Sequence, residues 1–204
     1  MPFRVGLISG SARVVRAGPQ IATFVRGVIE KDIASQSTVA VEFDVIDVGT
    51  LDLPAHYDEP GIPSHVENIP DDYVHEHTRA WSQRIASLDA FVFVTPQYNW
   101  GVPAALKNAI DYLFKEWRGK PFMVVSYGGH GGGHAAAALQ LILGGGIDMK
   151  AAPAGPVSLS FPNRGVLKKA AKGEDLELAG DAWADKQADI VAAWRQVVEL
   201  LQAV

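Results

Sequence analysis

Residues 91–114, FVFVTPQYNWGVPAALKNAIDYLF, restrict what this chain can fold into more than any other stretch. Phe91 to Val94 is an unbroken β-branched and aromatic run, the pattern of a strand covered on both faces. Thr95-Pro96 ends it, because proline removes a backbone donor. Helical spacing follows: Pro103 suits a first helical position, and Leu106, Ala109, Ile110, Leu113 and Phe114 recur on one face. Between strand and helix lies PQYNWG, an aromatic and amide-rich loop at the carboxyl end of a buried strand. Open α/β sheets bind their ligands at such ends.

The rest of the chain repeats this unit. Arg4 to Ser9 reads as a short apolar strand, Gly10 to Gly18 as a loop, and Pro19 opens a helix striped with Ile21, Phe24, Val25, Val28 and Ile29. An anion in that loop would meet the free N–H groups of a helix N-terminus and the guanidinium forks of Arg13 and Arg16; a merely solvated pair of arginines is the alternative. Val39 to Val48 reads as the second strand. Gly49 to Pro70 carries Pro54, Pro60, Pro63 and Pro70 and little periodicity, and a loop of that length is usually functional or part of an interface. Asp71 or Asp72 is expected to cap a helix bearing Val74, His77, Trp81, Ile85 and Leu88.

After the central helix, Pro121 to Tyr127 reads as a buried strand ending in GGHGGGH, where nearly bare backbone allows close approach by a ligand. A helix is expected from Ala135 to Leu143, then an irregular edge strand between Met149 and Leu159, broken by Pro153 and Pro156. Asn163 to Gly180 reads as a solvated polar excursion with Lys168, Lys169 and Lys172, and a last helix begins at about Asp181. Strands alternating with helices imply one α/β domain over residues 1–204, a flavodoxin-like three-layer sandwich with a five-stranded parallel sheet in the order 2-1-3-4-5. In that order the three unusual loops converge on one crevice.

Other signals are weaker. No glycine-lysine-serine or glycine-lysine-threonine triplet occurs, which argues against a Walker-type nucleotide site. Gly131-x-Gly133-x-x-Ala136 loosely matches a dinucleotide fingerprint with Asp148 as a ribose partner, but Asp148 precedes a strand instead of ending one. His130 and His134 lack a third metal ligand. His75 and His77, two apart at a helix start, should not share a face, which favours a surface or packing role. Ser126-x-Gly128 resembles a nucleophile elbow except that Val124 stands where the first glycine belongs. With no cysteine, disulfides, thiolate metal sites and cysteine nucleophiles are excluded. The net charge of −5 argues against a general nucleic-acid surface. No run is apolar enough for a membrane span, and the N-terminus enters a strand without a secretory pattern, so a cytoplasmic location is expected.

Taken together, Gly10-Ser11-x-Arg13-x-x-Arg16, the block Thr95-Pro96-Gln97-Tyr98-Asn99 through Pro103-Ala104-Ala105-Leu106-Lys107-Asn108-Ala109-Ile110-Asp111, and Ser126-Tyr127-Gly128-Gly129 resemble the NAD(P)H-dependent FMN reductase family, over roughly residues 5–147. Within it the chain is most similar to the bacterial and fungal FMN-containing quinone reductases. Members usually follow the loop arginine with proline-glycine, where this chain has Val14-Val15. The resemblance implies that Ser11, Arg13 and Arg16 hold the FMN phosphate, that Gln97, Tyr98 and Asn99 border the isoalloxazine, and that the backbone of Tyr127, Gly128 and Gly129 meets its pyrimidine edge. Pro96, Trp100 and Ser126 complete the implied cofactor set, with no catalytic side chain and no metal. It further implies NADPH or NADH as hydride donor, a quinone, free flavin or similar small molecule as acceptor, ping-pong turnover, and a homodimer or dimer of dimers. Trp100 and the 49–70 segment are the candidate walls of the flavin site, with core packing as the alternative for Trp100. A flavodoxin-like electron carrier or a redox-sensing flavin protein is the competing reading.

Overall fold

The computed structural model describes residues 1–36, 39–178 and 182–203. Its sheet is parallel: β1 (Phe3–Ser9), β2 (Val41–Asp47), β3 (Ala90–Pro96), β4 (Pro121–Gly128) and β5 (Lys150–Ala151) lie in the order β2-β1-β3-β4-β5, and β6 (Val157–Ser160) also pairs with β4. This is the expected flavodoxin-like order, with the edge strand split in two. The edge breaks because residues 152–156 include Pro153 and Pro156, and Ala154 and Gly155 take other partners: Ala154 N–H donates to Gln196 and Gly155 N–H to the Ala152 carbonyl.

Alternation sorts the side chains of the central strands into two cores. Val5, Leu7, Val92, Val94, Met123 and Val125 face α1 (Gly18–Gln36) and α6 (Ala184–Gln202). Ile8, Phe91, Phe93, Phe122 and Val124 face α2 (Glu76–Ala86), α3 (Ala104–Asp111) and α4 (Gly133–Gln140). All seven β3 residues are buried, as the unbroken run required. Trp117 anchors the second core, 4.8 Å from the Phe91 ring and donating its indole N–H to the Ile110 carbonyl at 3.2 Å.

Several boundaries differ from expectation. Neither Asp71 nor Asp72 caps α2: the Asp72 carboxylate accepts the Asn68 N–H at 2.9 Å, and the helix starts at Glu76 with His75 in extended backbone before it. The N–H groups of Val74 and His75, just before the helix, donate to the buried carboxylate of Glu59 at 2.7 and 2.9 Å, so the 49–70 loop holds the segment leading into α2, whose first turn has no side-chain cap. Val74 is consequently exposed and outside the core. Pro103 flanks α3 and does not begin it. The helix after β4 starts at Gly133, and its last turn is a π-type segment over Leu141–Gly146.

The excursion after Asn163 contains a helix, α5 (Arg164–Lys172), whose Asn163 side chain accepts the Val166 N–H and whose C-cap is Gly173 at φ 70°. None of its residues is fully buried, and only Val166 and Ala170 rest against the core, so its apolar face is short. The end of that excursion at Gly180 and the expected helix start at Asp181 lie outside the described residues; α6 begins at Ala184.

Lys120 closes the far end of this architecture, its Nζ donating to the carbonyls of Ile85 and Ala86 at the C-terminus of α2. Burial lowers its pKa to about 8, with Asp89 and Glu116 opposing. The unfolded chain, with lysine near ~10.4, then binds more protons than the folded one above pH ~8, so this site should make stability rise with pH up to about 10. Urea denaturation at a series of pH values should show that rise in the native protein and lose it in Lys120→Met.

Candidate functional site

β1 and β3 are adjacent and parallel, yet their following helices lie on opposite faces: α1 in one core, α3 in the other. The loops therefore part and leave a crevice at the carboxyl ends of the strands. The loop after β4, the third neighbour, closes its other side.

The first wall is residues 10–17. Ser9 and Ser11 are buried; the Ser9 hydroxyl makes no hydrogen bond within the protein, and the Ser11 hydroxyl has only the Tyr127 phenol beside it. Buried polar atoms are nearly always well paired, so two hydroxyls this sparsely partnered at the start of one loop point to a ligand. Ser11 Oγ lies against the first residue of α1 so closely that a Cβ on Gly18 would fall 2.0 Å from it and 2.8 Å from the Tyr127 hydroxyl. Burial raises the Tyr127 phenol well above its usual range, so it stays protonated and able to donate.

Arg13 and Arg16 divide the remaining work. Arg13 is exposed and stacks on the Tyr98 ring, 3.9 Å from its centroid. Arg16 is not the free fork that was expected. Nη1 and Nη2 bond the two Asp47 oxygens, each at 2.7 Å, and Nη1 also donates to the Ser11 carbonyl. Asp47, at the end of β2, in turn accepts the Gly49 N–H. Arg16 thus braces the loop against β2, a role that sequence reasoning missed because its partner lies 31 residues away.

The PQYNWG wall is a two-residue hairpin. Tyr98 and Gly101 exchange both backbone hydrogen bonds, and Asn99 and Trp100 between them have φ of 46° and 67°. Type I′ turns require positive φ at both central residues, which Asn tolerates and which costs a residue such as Trp about 1–2 kcal/mol. Trp100 is 72% exposed, so the core-packing alternative is excluded; its ring stacks on His134 at 4.2 Å. Pro96 is buried as the last residue of β3. Gln97 does more than line the crevice: its Oε1 accepts the N–H groups of His134 and Ala135 and so caps α4.

The third wall follows β4. Ser126 is fully buried and donates to the Gly131 carbonyl at 2.7 Å, so it shapes the glycine loop from inside. Gly131 and Gly132 both sit at φ 77°, and a Cβ on Gly132 would fall 3.0 Å from the Tyr127 carbonyl. The Gly128 carbonyl accepts the N–H groups of Gly131 and Phe161. Gly129 and His130 are exposed at the lip.

The dinucleotide reading fails on geometry. Asp148 lies just before β5, at the opposite end of the strands from the glycine loop, and pairs with Arg118, so it is not a ribose partner. Among the described residues, no group of three or more His, Asp or Glu is arranged to hold a metal ion. His75 and His77 do share a face, contrary to expectation: because His75 precedes the helix in extended backbone, the rings stack 5.2 Å apart, and both reach Asp58 in the 49–70 loop. The Tyr112 hydroxyl and Asn108 hold the same loop through the Pro54 carbonyl.

If Arg16 and Asp47 act as one brace, Arg16→Met and Asp47→Asn should not add. A double-mutant cycle by urea denaturation should give a coupling of about 1–2 kcal/mol, and strict additivity would show that the pair carries no shared load.

Residues 3–163 match the family model described as NADPH-dependent FMN reductase. The chain is 44% identical over 163 residues to an NAD(P)H-dependent FMN reductase of Saccharomyces cerevisiae, covering 78% of this chain and 82% of that one. It is 36% identical over 209 residues to a similarly named reductase of Nectria sp, covering 98% and 97%. A 2-hydroxy-1,4-benzoquinone reductase of Burkholderia sp is 28% identical over 130 residues, covering 61% and 60%. Among solved structures, an oxidoreductase from Corynebacterium diphtheriae shares the fold, with a TM-score of 0.67 at 14% identity over 100% of this chain and 98% of that one. The chain belongs to the NADPH-dependent FMN reductase family.

Proposed function

We propose that this protein binds FMN in the crevice at the β1–β3 switch point and uses it to pass electrons from NADPH or NADH to a quinone, free flavin or similar small acceptor. The observation that carries this reading is the buried, sparsely partnered Ser11 hydroxyl against the first residue of a 19-residue helix, in a loop that also holds the buried Ser9 and the exposed Arg13. An anionic phosphate suits that site: free helix N–H groups and the positive end of the helix dipole favour it, and Arg13 supplies the charge that Arg16, held by Asp47, does not.

When bound, FMN supplies the redox chemistry, accepting hydride from NAD(P)H to release NAD(P)⁺ and returning two electrons, with protons from solvent, to reduce a quinone to its hydroquinone. The protein's part is to bind, orient and tune. The Tyr98–Gly101 hairpin would wall one side of the ring, and the backbone N–H of Gly129, in an exposed residue, would offer a donor to its polar edge. No side chain acts as a strong acid or base in this account, and none of the crevice residues is arranged as a nucleophile with its base. The use of one open face by donor and then acceptor makes the kinetics ping-pong. The working form is a homodimer or a pair of dimers in the cytoplasm, with the 49–70 loop at the subunit boundary. Among the described residues, no helix is long and apolar enough to cross a membrane.

Purified protein reconstituted with FMN should be yellow, and NADPH or NADH added without oxygen should bleach it; menadione should restore the colour. Protein that takes up no FMN would sink the reading, and a yellow protein that neither nucleotide bleaches would be a carrier. Arg13→Ala should raise the FMN dissociation constant by about tenfold to a hundredfold, as loss of a charge-assisted hydrogen bond does, with little change in the unfolding midpoint of the apoprotein.

A further inference from the structure

The hairpin that carries Tyr98 also holds Trp100 in an unusual state. At the second central position of a type I′ turn glycine is the ordinary choice, because φ is positive. Here that position holds the largest side chain available, at φ 67° and 72% exposed. Such a residue contributes little to the core and adds backbone strain; a strained, exposed aromatic at the mouth of a crevice points to function. The side chain is nonetheless ordered against a partner. The indole lies 4.2 Å from the His134 ring with 23° between the planes. His134 is held in turn, since its own backbone N–H and that of Ala135 donate to Gln97 on the strand side of the same hairpin.

The two aromatic residues of the hairpin therefore reach opposite walls. Tyr98 meets Arg13 from the loop after β1, on the side where the buried hydroxyls prepare an anion site. Trp100 meets His134 from the first turn of α4, on the side away from that site. A flavin wall needs one ring beside the isoalloxazine, and Tyr98, half-buried, meets that need. Trp100 stands further out and presents an open aromatic face.

We propose that Trp100, backed by His134, is a stacking shelf for the planar ring of the second substrate, the nicotinamide of NAD(P)H and in its turn the quinone acceptor, and not a wall of the flavin itself. This rests on the FMN-dependent reading above. The shelf adds no chemistry. It lowers the dissociation constant of flat aromatic ligands by aromatic contact and fixes the angle at which they enter, which makes Trp100 a specificity residue. Because Trp100 is strained where glycine would be relaxed, fold and function are expected to respond to its loss in opposite directions.

Trp100→Gly, Trp100→Phe and His134→Ala, each loaded with FMN, provide the test. In Trp100→Gly the dissociation constant of NADP⁺, followed by the change in flavin absorbance, and the KM for menadione should each rise about threefold to tenfold. FMN affinity should stay within about twofold and the unfolding midpoint should hold or increase. Trp100→Phe should recover most of the ligand affinity, and His134→Ala should lose part of it. Unchanged NADP⁺ and menadione constants in Trp100→Gly would overturn the shelf while leaving the flavoenzyme reading intact. Loss of FMN in that variant would return Trp100 to the flavin wall, and a fall in native mass by light scattering would assign it to a subunit contact; either overturns the proposal. A wild-type protein that takes up no FMN would remove the reading on which the shelf depends.

Discussion

The pairing of β1 with β3 is the constraint on which the rest of the molecule depends. Two parallel neighbours that send their chains to opposite faces must open a gap between their exits. Leu7 and Ile8, consecutive in β1, already belong to different cores, and Val92 and Phe93 divide in the same way on β3. Neither strand has a free face or edge, so no functional group can be placed along them. Everything chemical is pushed to the ends, where Ser9, Pro96 and Gly128 close three adjacent strands.

What lies at those ends is a set of loops that hold one another. Arg16 ties the first loop to β2 through Asp47, Gln97 ties the second to α4, and Ser126 holds the third through the Gly131 carbonyl. Each brace uses a polar side chain that could have faced a ligand. The groups left over are few: two serine hydroxyls, the N-terminus of α1, Arg13, and exposed backbone after β4. They form a set suited to a phosphate and a flat polar ring. This division between bracing and binding residues explains how loops rich in glycine can still present a defined surface.

Much of this was legible in the sequence because burial imposes patterns. The unbroken run at Phe91 predicted a central strand, and the stripes of α1 and α3 followed the helical period. The strand order and the convergence of three loops then followed from connection rules. Partners distant in sequence were not legible. Glu59 holds the backbone that leads into α2, Asp47 occupies Arg16, and Asp58 gathers His75 and His77; in each case the second group sits at least 15 residues from the first. α5 is hard to read for another reason: only Val166 and Ala170, both partly buried, pack against the core, and its Asn163 and Gly173 caps mark it better than any stripe. The strain at Trp100 has no sequence signal of its own, except that a tryptophan follows Asn99 where a glycine is ordinary in such turns.

The central claim is that a phosphate occupies the place prepared by Ser11, Gly18 and Arg13, with the flavin ring between the Tyr98–Gly101 hairpin and the glycine loop. A crystal structure of the protein grown with FMN tests it most directly. The account predicts phosphate oxygens within hydrogen-bond distance of the Ser11 hydroxyl and the first N–H groups of α1, with the ring edge against the backbone after Tyr127. A flavin bound anywhere else, or a phosphate that leaves the Ser9 and Ser11 hydroxyls unpaired, would contradict it.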